Sequence, residues 1–186
     1  LVTGGGGTEE TGFGAVRYGT KLGDHVFFRL FGKYFDRDDQ SGQLMPPAGT
    51  PSADGWRQGR GGFRLDWEPA AETLVTFQGE LYNGELDNAV RPGQNNAALR
   101  LGDDRKAGGF VLGRWTHRLS AESDWTLQAY YDRIEEETMG VGASQAHTFD
   151  MDFQHRSPLG SRQELTWGIG EGGLGRDRHR RRGRQV

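Results

Sequence analysis

The sequence contains no cysteine and no long apolar run. Without cysteine the chain has no disulfide, no thiolate metal ligand and no cysteine nucleophile. No segment approaches the roughly 18 consecutive apolar residues of a transmembrane helix, so a helical membrane span is excluded. The chain begins at Leu1 with neither a methionine nor a basic-then-apolar leader. Either a signal segment has been removed or the sequence starts inside a longer gene product, and we expect the second.

Glycine and aromatic residues are abundant instead. The 186 residues include 31 glycines, five tryptophans, five tyrosines and ten phenylalanines, while only 33% are hydrophobic. Aromatic side chains need a place to be buried, so this composition argues against disorder and favours strands and turns. The net charge of −3 combines an acidic body with a basic end, because six arginines fall within residues 176–184.

Alternation with a period of two is the recurring pattern and predicts β-strands with one apolar and one polar face. Five strands are clear, and three more, over residues 11–21, 25–35 and 108–119, are less regular. Most of the eight predicted strands have 10 to 13 residues. The apolar positions of the five clear strands are Phe63, Leu65 and Trp67; Val75, Phe77 and Leu81; Trp125, Leu127 and Ala129; Phe149, Met151 and Phe153; and Leu165, Trp167 and Ile169.

The predicted connections alternate in length. Compact turns, such as residues 68–72 and 120–124, alternate with long segments over residues 36–55, 84–105 and 134–145 that have no usable periodicity. In an antiparallel meander all short turns then lie at one end, which is typical of outer-membrane barrels. The strand lengths also suit a bilayer crossing of roughly 9 to 11 tilted residues. The sequence thus predicts an all-β, up-and-down meander of about eight long strands, part of a transmembrane β-barrel.

Aromatic residues are predicted to lie near both ends of the strands, where the membrane interfaces of such a barrel would be. Tryptophans occur beside or within a few residues of the short turns, and tyrosines occur near the long connections. The predicted interface aromatics are Trp67, Trp115, Trp125 and Trp167 at one end and Tyr34, Tyr82 and Tyr131 at the other.

The polar positions of the strands are predicted to face a water-filled lumen. Asp150 and Asp152 share one strand face and resemble a catalytic carboxylate pair, but a wet barrel wall explains them more simply. The predicted lumen-facing residues are Arg29, Lys33, Arg64, Gln78, Glu80, Arg114, Gln128, Asp150 and Asp152.

The motifs that would suggest enzymatic or ion-binding chemistry lack required residues. The glycines of residues 4–7 are not followed by the lysine and hydroxyl residue of a phosphate-binding loop. Asp36 and Asp38 suggest a calcium loop, but Ser41 and Pro47 replace its required glycine and glutamate. We interpret these segments as a flexible link and a solvated loop.

The histidines and the arginine-rich end also lack a partner motif. The five histidines have no metal-ligand spacing, and residues 176–184 have no interleaved aromatics for nucleic-acid binding. We therefore predict no enzyme activity, no metal, no cofactor and no nucleic-acid partner.

Four segments together resemble a known family. Residues 1–10 (LVTGGGGTEE) and 12–19 (GFGAVRYG) resemble the junction between the plug and the first barrel strand of TonB-dependent outer-membrane receptors. Residues 33–38 (KYFDRD) and 113–119 (GRWTHRL) resemble barrel segments of the same receptors. Strand alternation constrains composition more than identity, so the order and spacing of the segments carry the resemblance, which covers residues 1 to about 170.

The resemblance implies a fragment of a bacterial outer-membrane receptor whose parent has an N-terminal plug inside a barrel of 22 strands. The implied division is the end of the plug and a linker over 1–10, a partial barrel over 11–170 and a basic, disordered tail over 171–186. The implied partners are outer-membrane lipid, a ferric siderophore or similar scarce solute, and TonB. Arg29, Lys33, Arg64 and Arg114 would then attract an anionic ferric siderophore or pair with acidic plug groups, and both roles stay open.

Two other interpretations remain. The eight strands would alternatively close into a small outer-membrane barrel with a structural or adhesion role, its interior filled by side chains. A soluble barrel of the lipocalin kind would turn its apolar face inward, which leaves the bands of tryptophan without a purpose.

Overall fold

The computed structural model describes residues 1–8, 10–39, 54–90, 100–160 and 162–179, which form one antiparallel sheet. The sheet has nine strands in chain order, each hydrogen-bonded to the next. The predicted all-β, up-and-down meander is confirmed. The strands are β1 (Val2–Gly5), β2 (Gly12–Leu22), β3 (Val26–Arg37), β4 (Trp56–Ala70), β5 (Thr73–Val90), β6 (Arg100–Ser120), β7 (Ser123–Thr138), β8 (Gly142–Leu159) and β9 (Gln163–His179).

The sheet is open within the described ranges. Each strand contacts only its immediate neighbours, and β1 is not paired with β9. Backbone donors and acceptors therefore remain available along two edges, which invites pairing with further strands.

The sheet is also a single layer. Among the described residues only Phe35 is a buried hydrophobic side chain and only Thr76 is a buried polar one, each 6% exposed. No element packs on either face in this part of the chain. None of the described residues belongs to a helix long and apolar enough to cross a membrane.

Strand register divides the side chains into two faces. Trp67, Val75, Trp115, Leu127 and Phe153 are consecutive partners across β4 to β8, so their side chains share one face. The adjacent row, shifted by one residue, has Asp66, Thr76, Arg114, Gln128 and Asp152 on the other. We call these the apolar face and the polar face.

The two ends of the sheet extend beyond the predicted barrel segment. β1 lies within residues 1–10, which were predicted as plug end and linker, and pairs with β2. β9 runs to His179, nine residues past the predicted boundary at residue 170, whereas residues 180–186 of the predicted disordered tail lie outside the described residues. Both extensions are rich in glycine, which pairs through its backbone but leaves no alternating side chains to detect.

One predicted long connection is a tight turn. Residues 134–138 continue β7 and 142–145 begin β8, so only residues 139–141 connect the two strands. Gly140 and Gly142 have φ angles of 79° and 121°, a backbone conformation that favours glycine and permits the reversal. The predicted connections 36–55 and 84–105 contribute residues to β3, β5 and β6, and their central parts, 40–53 and 91–99, lie outside the described residues. Short and long connections therefore do not alternate strictly.

Candidate functional site

All nine residues predicted to face a lumen lie on the polar face. Arg29, Arg64 and Gln78 are consecutive partners across β3 to β5, and Asp150 lies in the same row. Arg114, Gln128 and Asp152 occupy the adjacent polar row. Lys33 and Glu80 are four and two residues from row members on their own strands and so share this face. Their common face follows from the register, and their role in a lumen stays a prediction.

Arg64, Asp66 and Thr76 form a hydrogen-bonded network on β4 and β5. The Arg64 guanidinium donates to both carboxylate oxygens of Asp66 at 2.8 and 2.9 Å. The Thr76 hydroxyl donates to Asp66 Oδ1 at 2.7 Å, and Thr76 is the one buried polar residue of the described chain. Such charge-assisted bonds fix the orientation of the side chains.

Further cross-strand pairs continue the polar face. Arg60 on β4 lies 2.7 Å from the Glu80 carboxylate on β5. Arg114 donates to Gln128 Oε1 at 2.9 Å, and the hydroxyl oxygens of Thr116 and Thr126 are 3.1 Å apart. These pairs are partly exposed, so each contributes little to stability, but together they give a hydrated surface.

Charge is segregated across the polar face. Basic side chains predominate on β2 to β4, and acidic ones predominate on β7 and β8. The basic set is Arg17, Lys21, Arg29, Lys33, Arg37, Arg60 and Arg64, and the acidic set is Asp124, Asp132, Glu136, Asp150 and Asp152. The two sides therefore present opposite electrostatic potentials.

The apolar face is exposed although its side chains are hydrophobic. Leu81 is 73% exposed and Ile169 is 71% exposed. Phe77, Met151 and Phe149 on the same face are 44–49% exposed. The band runs from Trp125 to Tyr131 on β7, which corresponds to about 20 Å along a strand. An uncovered apolar band of this extent indicates a surface that contacts something else.

The four predicted interface tryptophans lie on the apolar face in two adjacent rows. Trp67 and Trp115 share one row, and Trp125 and Trp167 share the next. Trp115 packs on Trp125 with ring centroids 4.8 Å apart, and Phe153 extends the cluster to Trp167 at 5.6 Å. This aromatic cluster lies at the short-turn end of the band.

The predicted tyrosines divide between the faces. Tyr34 and Tyr131 lie on the apolar face, where the Tyr131 hydroxyl is 2.6 Å from His147 Nδ1. Tyr82 pairs with Arg60 and Gly108 on the polar face, and its place at a membrane interface stays a prediction. Its neighbour Leu81 lies on the apolar face, as the period of two requires.

Beyond the apolar band the same face becomes charged, and we call this part the rim. Arg57 and Arg105 both bond Glu85, at 2.8 Å from Arg57 Nε and 3.1 Å from Arg105 Nε. The hydrogen bond from Arg57 and its positive charge hold the pKa of Glu85 below its ordinary value. Arg133 pairs with Glu135 nearby. This rim was not predicted from the sequence, because residues 84–105 and 134–145 lack clear alternation and were predicted to be connections.

Other residues of the polar face were also missed. Phe35 packs against Trp56 with ring centroids 4.5 Å apart, and Arg37 lies over both rings at 5.3 and 5.2 Å. Arg60 was missed because the predicted strand began near Phe63. Extending the alternation backwards by two residues at a time from Arg64 would have found it.

Histidines make local polar contacts. His117 Nδ1 is 2.8 Å from the Thr73 hydroxyl, and His155 Nε2 is 3.5 Å from the Ser123 hydroxyl. Within the described ranges no three histidine or carboxylate side chains come together in a way that would hold a metal ion.

Comparison of the chain with protein-family models, curated proteins and solved structures finds no match. The class is therefore defined by the fold alone: an open, single-layer antiparallel meander of nine strands with one apolar and one polar face.

Proposed function

We propose that this chain is part of a transmembrane β-barrel of the bacterial outer membrane. The observation that carries the proposal is the uncovered apolar face, with Phe77 and Leu81 at 44% and 73% exposed, opposite a face of hydrogen-bonded ionic groups. Hydrocarbon on one side and water on the other satisfy both faces at once, whereas water on both sides leaves the apolar band exposed.

The strand lengths and tryptophan rows support the same proposal. Strands β2 to β9 have 11 to 21 residues, enough to cross a bilayer at a tilt and to extend beyond it. Trp67, Trp115, Trp125 and Trp167 lie at one limit of the apolar band, where indole rings favour the boundary between hydrocarbon and headgroups.

The particular receptor we propose is TonB-dependent, in line with the resemblance of residues 1–10, 12–19, 33–38 and 113–119. Its parent would take up a ferric siderophore or a similar scarce solute with energy relayed by TonB, and would carry out no enzymatic reaction. The basic part of the polar face suits an anionic cargo by charge.

The membrane proposal is tested by introducing single cysteines at neighbouring positions of β7. The chain has no cysteine of its own, so each label reports one site. Leu127→Cys is on the apolar face and Gln128→Cys on the polar face. In lipid vesicles we expect a fluorophore at 127 to be quenched by bromine-labelled lipid, and a charged, membrane-impermeant maleimide to react at 128 only.

A second pair on β8, Phe153→Cys and Gln154→Cys, gives a matched replicate. Equal labelling of both members in both pairs would contradict the proposal. The receptor assignment is tested separately, by deleting the gene in its host and measuring uptake of radiolabelled ferric siderophores under iron limitation. Unchanged uptake of every siderophore that the host transports would contradict that assignment and leave the membrane proposal intact.

A further inference from the structure

The polar face has a basic depression between β1 and β4. It has a volume of about 390 Å³, and its lining includes Arg17, Arg29, Lys33 and Arg60 but no carboxylate. Phe31 also lines it, pairs with Arg17 and is two residues from both Arg29 and Lys33. The depression thus joins four cationic side chains from three strands, with the Lys33 ammonium 5.7 Å from the Phe35 ring centroid.

Strand pairing brings like charges together at this place. Arg29 lies directly opposite Arg64, and Lys33 lies directly opposite Arg60. Like charges in directly opposite positions destabilise a sheet. These pairs contribute no stability to the sheet by themselves. A negative charge bound beside them would offset the repulsion.

The available carboxylates compensate only the outer members of these pairs. Asp66 on β4 bonds Arg64 at 2.8 Å, and Glu80 on β5 lies 2.7 Å from Arg60. Arg17, Arg29 and Lys33 form no ion pair with any carboxylate in the described parts of the chain. Arg17 and Lys33 therefore face the depression with no carboxylate partner among the described residues, and Asp66 acts on Arg29 only at longer range.

We propose that this depression is a binding site for a small multivalent anion bearing carboxylate or phosphate groups. Guanidinium groups bind such oxygens in a bidentate manner, and a lysine adds a point charge. The volume is that of a small-molecule site, not of a folded element. Ala15 and Thr3, which also line the depression, leave room beside the cations.

The proposal goes beyond the membrane function, because the pocket is built by the sheet whatever lies against its apolar face. The test uses the chain folded in a nonionic detergent and titrated with citrate and with pyrophosphate by calorimetry at low ionic strength. We expect both anions to bind, and glucose, as a neutral probe, not to bind. Binding should weaken as salt rises, since partly exposed charges are screened.

Arg29→Gln and Lys33→Gln should each weaken binding about fivefold, the upper range for one exposed ion pair. Arg29→Lys should retain most of the affinity. The matched control is Arg118→Gln, which removes one positive charge from the same face at the distant short-turn end of β6 and should change affinity less than about twofold.

Three outcomes overturn the site. These are the absence of binding by either anion, an equal loss in Arg118→Gln, and tighter binding of a tetraglutamate peptide than of citrate. Strand content of each variant by circular dichroism separates a lost site from a lost fold. Failure of the cysteine-labelling test would leave this result unaffected, so the two proposals are distinguishable.

Discussion

At the scale of single residues, the Asp66 network shows what holds the polar face in place. Asp66 accepts hydrogen bonds from Arg64 on its own strand and from Thr76 on the next, and the hydroxyl of Thr76 is shielded from water. A buried hydroxyl that donates to a carboxylate contributes more than an exposed one, because its removal leaves the acceptor without its partner.

Thr76→Val should therefore lower the free energy of unfolding by about 1–2 kcal/mol. The measurement is urea unfolding of the chain folded in detergent micelles. Thr148→Val on β8 is the matched control, since no hydrogen bond of the Thr148 hydroxyl is found among the described residues. Equal losses in the two variants would contradict the role given to the network.

At the rim, Arg57 should make stability depend on acid pH through Glu85. The pKa of Glu85 is lowered in the folded chain, so its ionised form stabilises the fold above the ordinary carboxylate range and that contribution is lost as pH falls through the lowered pKa. Arg57→Gln should raise the pKa of Glu85 and reduce the loss of unfolding free energy between neutral pH and about pH 3.

The pKa of Glu85 is measured by NMR titration of its side-chain carboxyl carbon. Arg133→Gln removes a rim arginine that pairs with Glu135 instead and should leave the Glu85 titration unchanged. A Glu85 pKa that does not move in Arg57→Gln would refute the assigned cause.

At the scale of elements, two of the glycines on β6 differ in how closely neighbouring atoms approach them. A Cβ added at Gly109 would lie 2.5 Å from the Glu80 carbonyl oxygen on β5, whereas a Cβ at Gly113 would have nothing within 4 Å. Both glycines lie on the apolar face of the same strand. Close backbone approach explains the first glycine and not the second.

Gly109→Ala should destabilise the β5–β6 pairing by about 1–3 kcal/mol, because a strand shift is needed to relieve the clash. Gly113→Ala should be neutral or stabilising by up to about 1 kcal/mol, since alanine loses less backbone entropy. Unfolding in urea compares the two variants. A Gly113→Ala loss as large as that of Gly109→Ala would show that added side-chain volume, not close approach, is the cause.

Whether a strand could be predicted from the sequence depends on how clearly its apolar and polar side chains alternate. Strands such as β7 were predictable because Trp125, Leu127 and Ala129 alternate with polar residues. The end of β9 was not predictable, because glycine has no side chain that could show the alternation. The glycines there are Gly170, Gly172, Gly173 and Gly175. The nine polar-face residues were predictable from the same parity. The grouping of Arg29 and Lys33 with Arg60 in one depression was not predictable, because it depends on the register that places Lys33 opposite Arg60.

At the scale of the whole molecule, the open edges and the uncovered face have the same consequence. β1 and β9 leave unpaired backbone groups, and the apolar band lies exposed beside them. Both features promote association of chains in water. The chain expressed alone should therefore aggregate without detergent.

Gel filtration tests this expectation, and a soluble monomer in plain buffer would contradict it. Detergent-folded material compared with and without heating on a gel tests the small self-closed barrel, which should migrate differently after heating while an open sheet should not. Because β1 and β9 are not paired with each other, the structure favours the open sheet.

The tryptophan rows offer a further measurement on the membrane proposal. Four of the five tryptophans lie in two adjacent rows of the apolar face, and Trp56 lies on the polar face. In a bilayer, a Trp56→Phe protein would emit only from these two neighbouring rows, so its fluorescence would report one narrow range of depths. Quenchers attached at graded positions along lipid tails would then measure how far this layer of indoles sits from the bilayer centre.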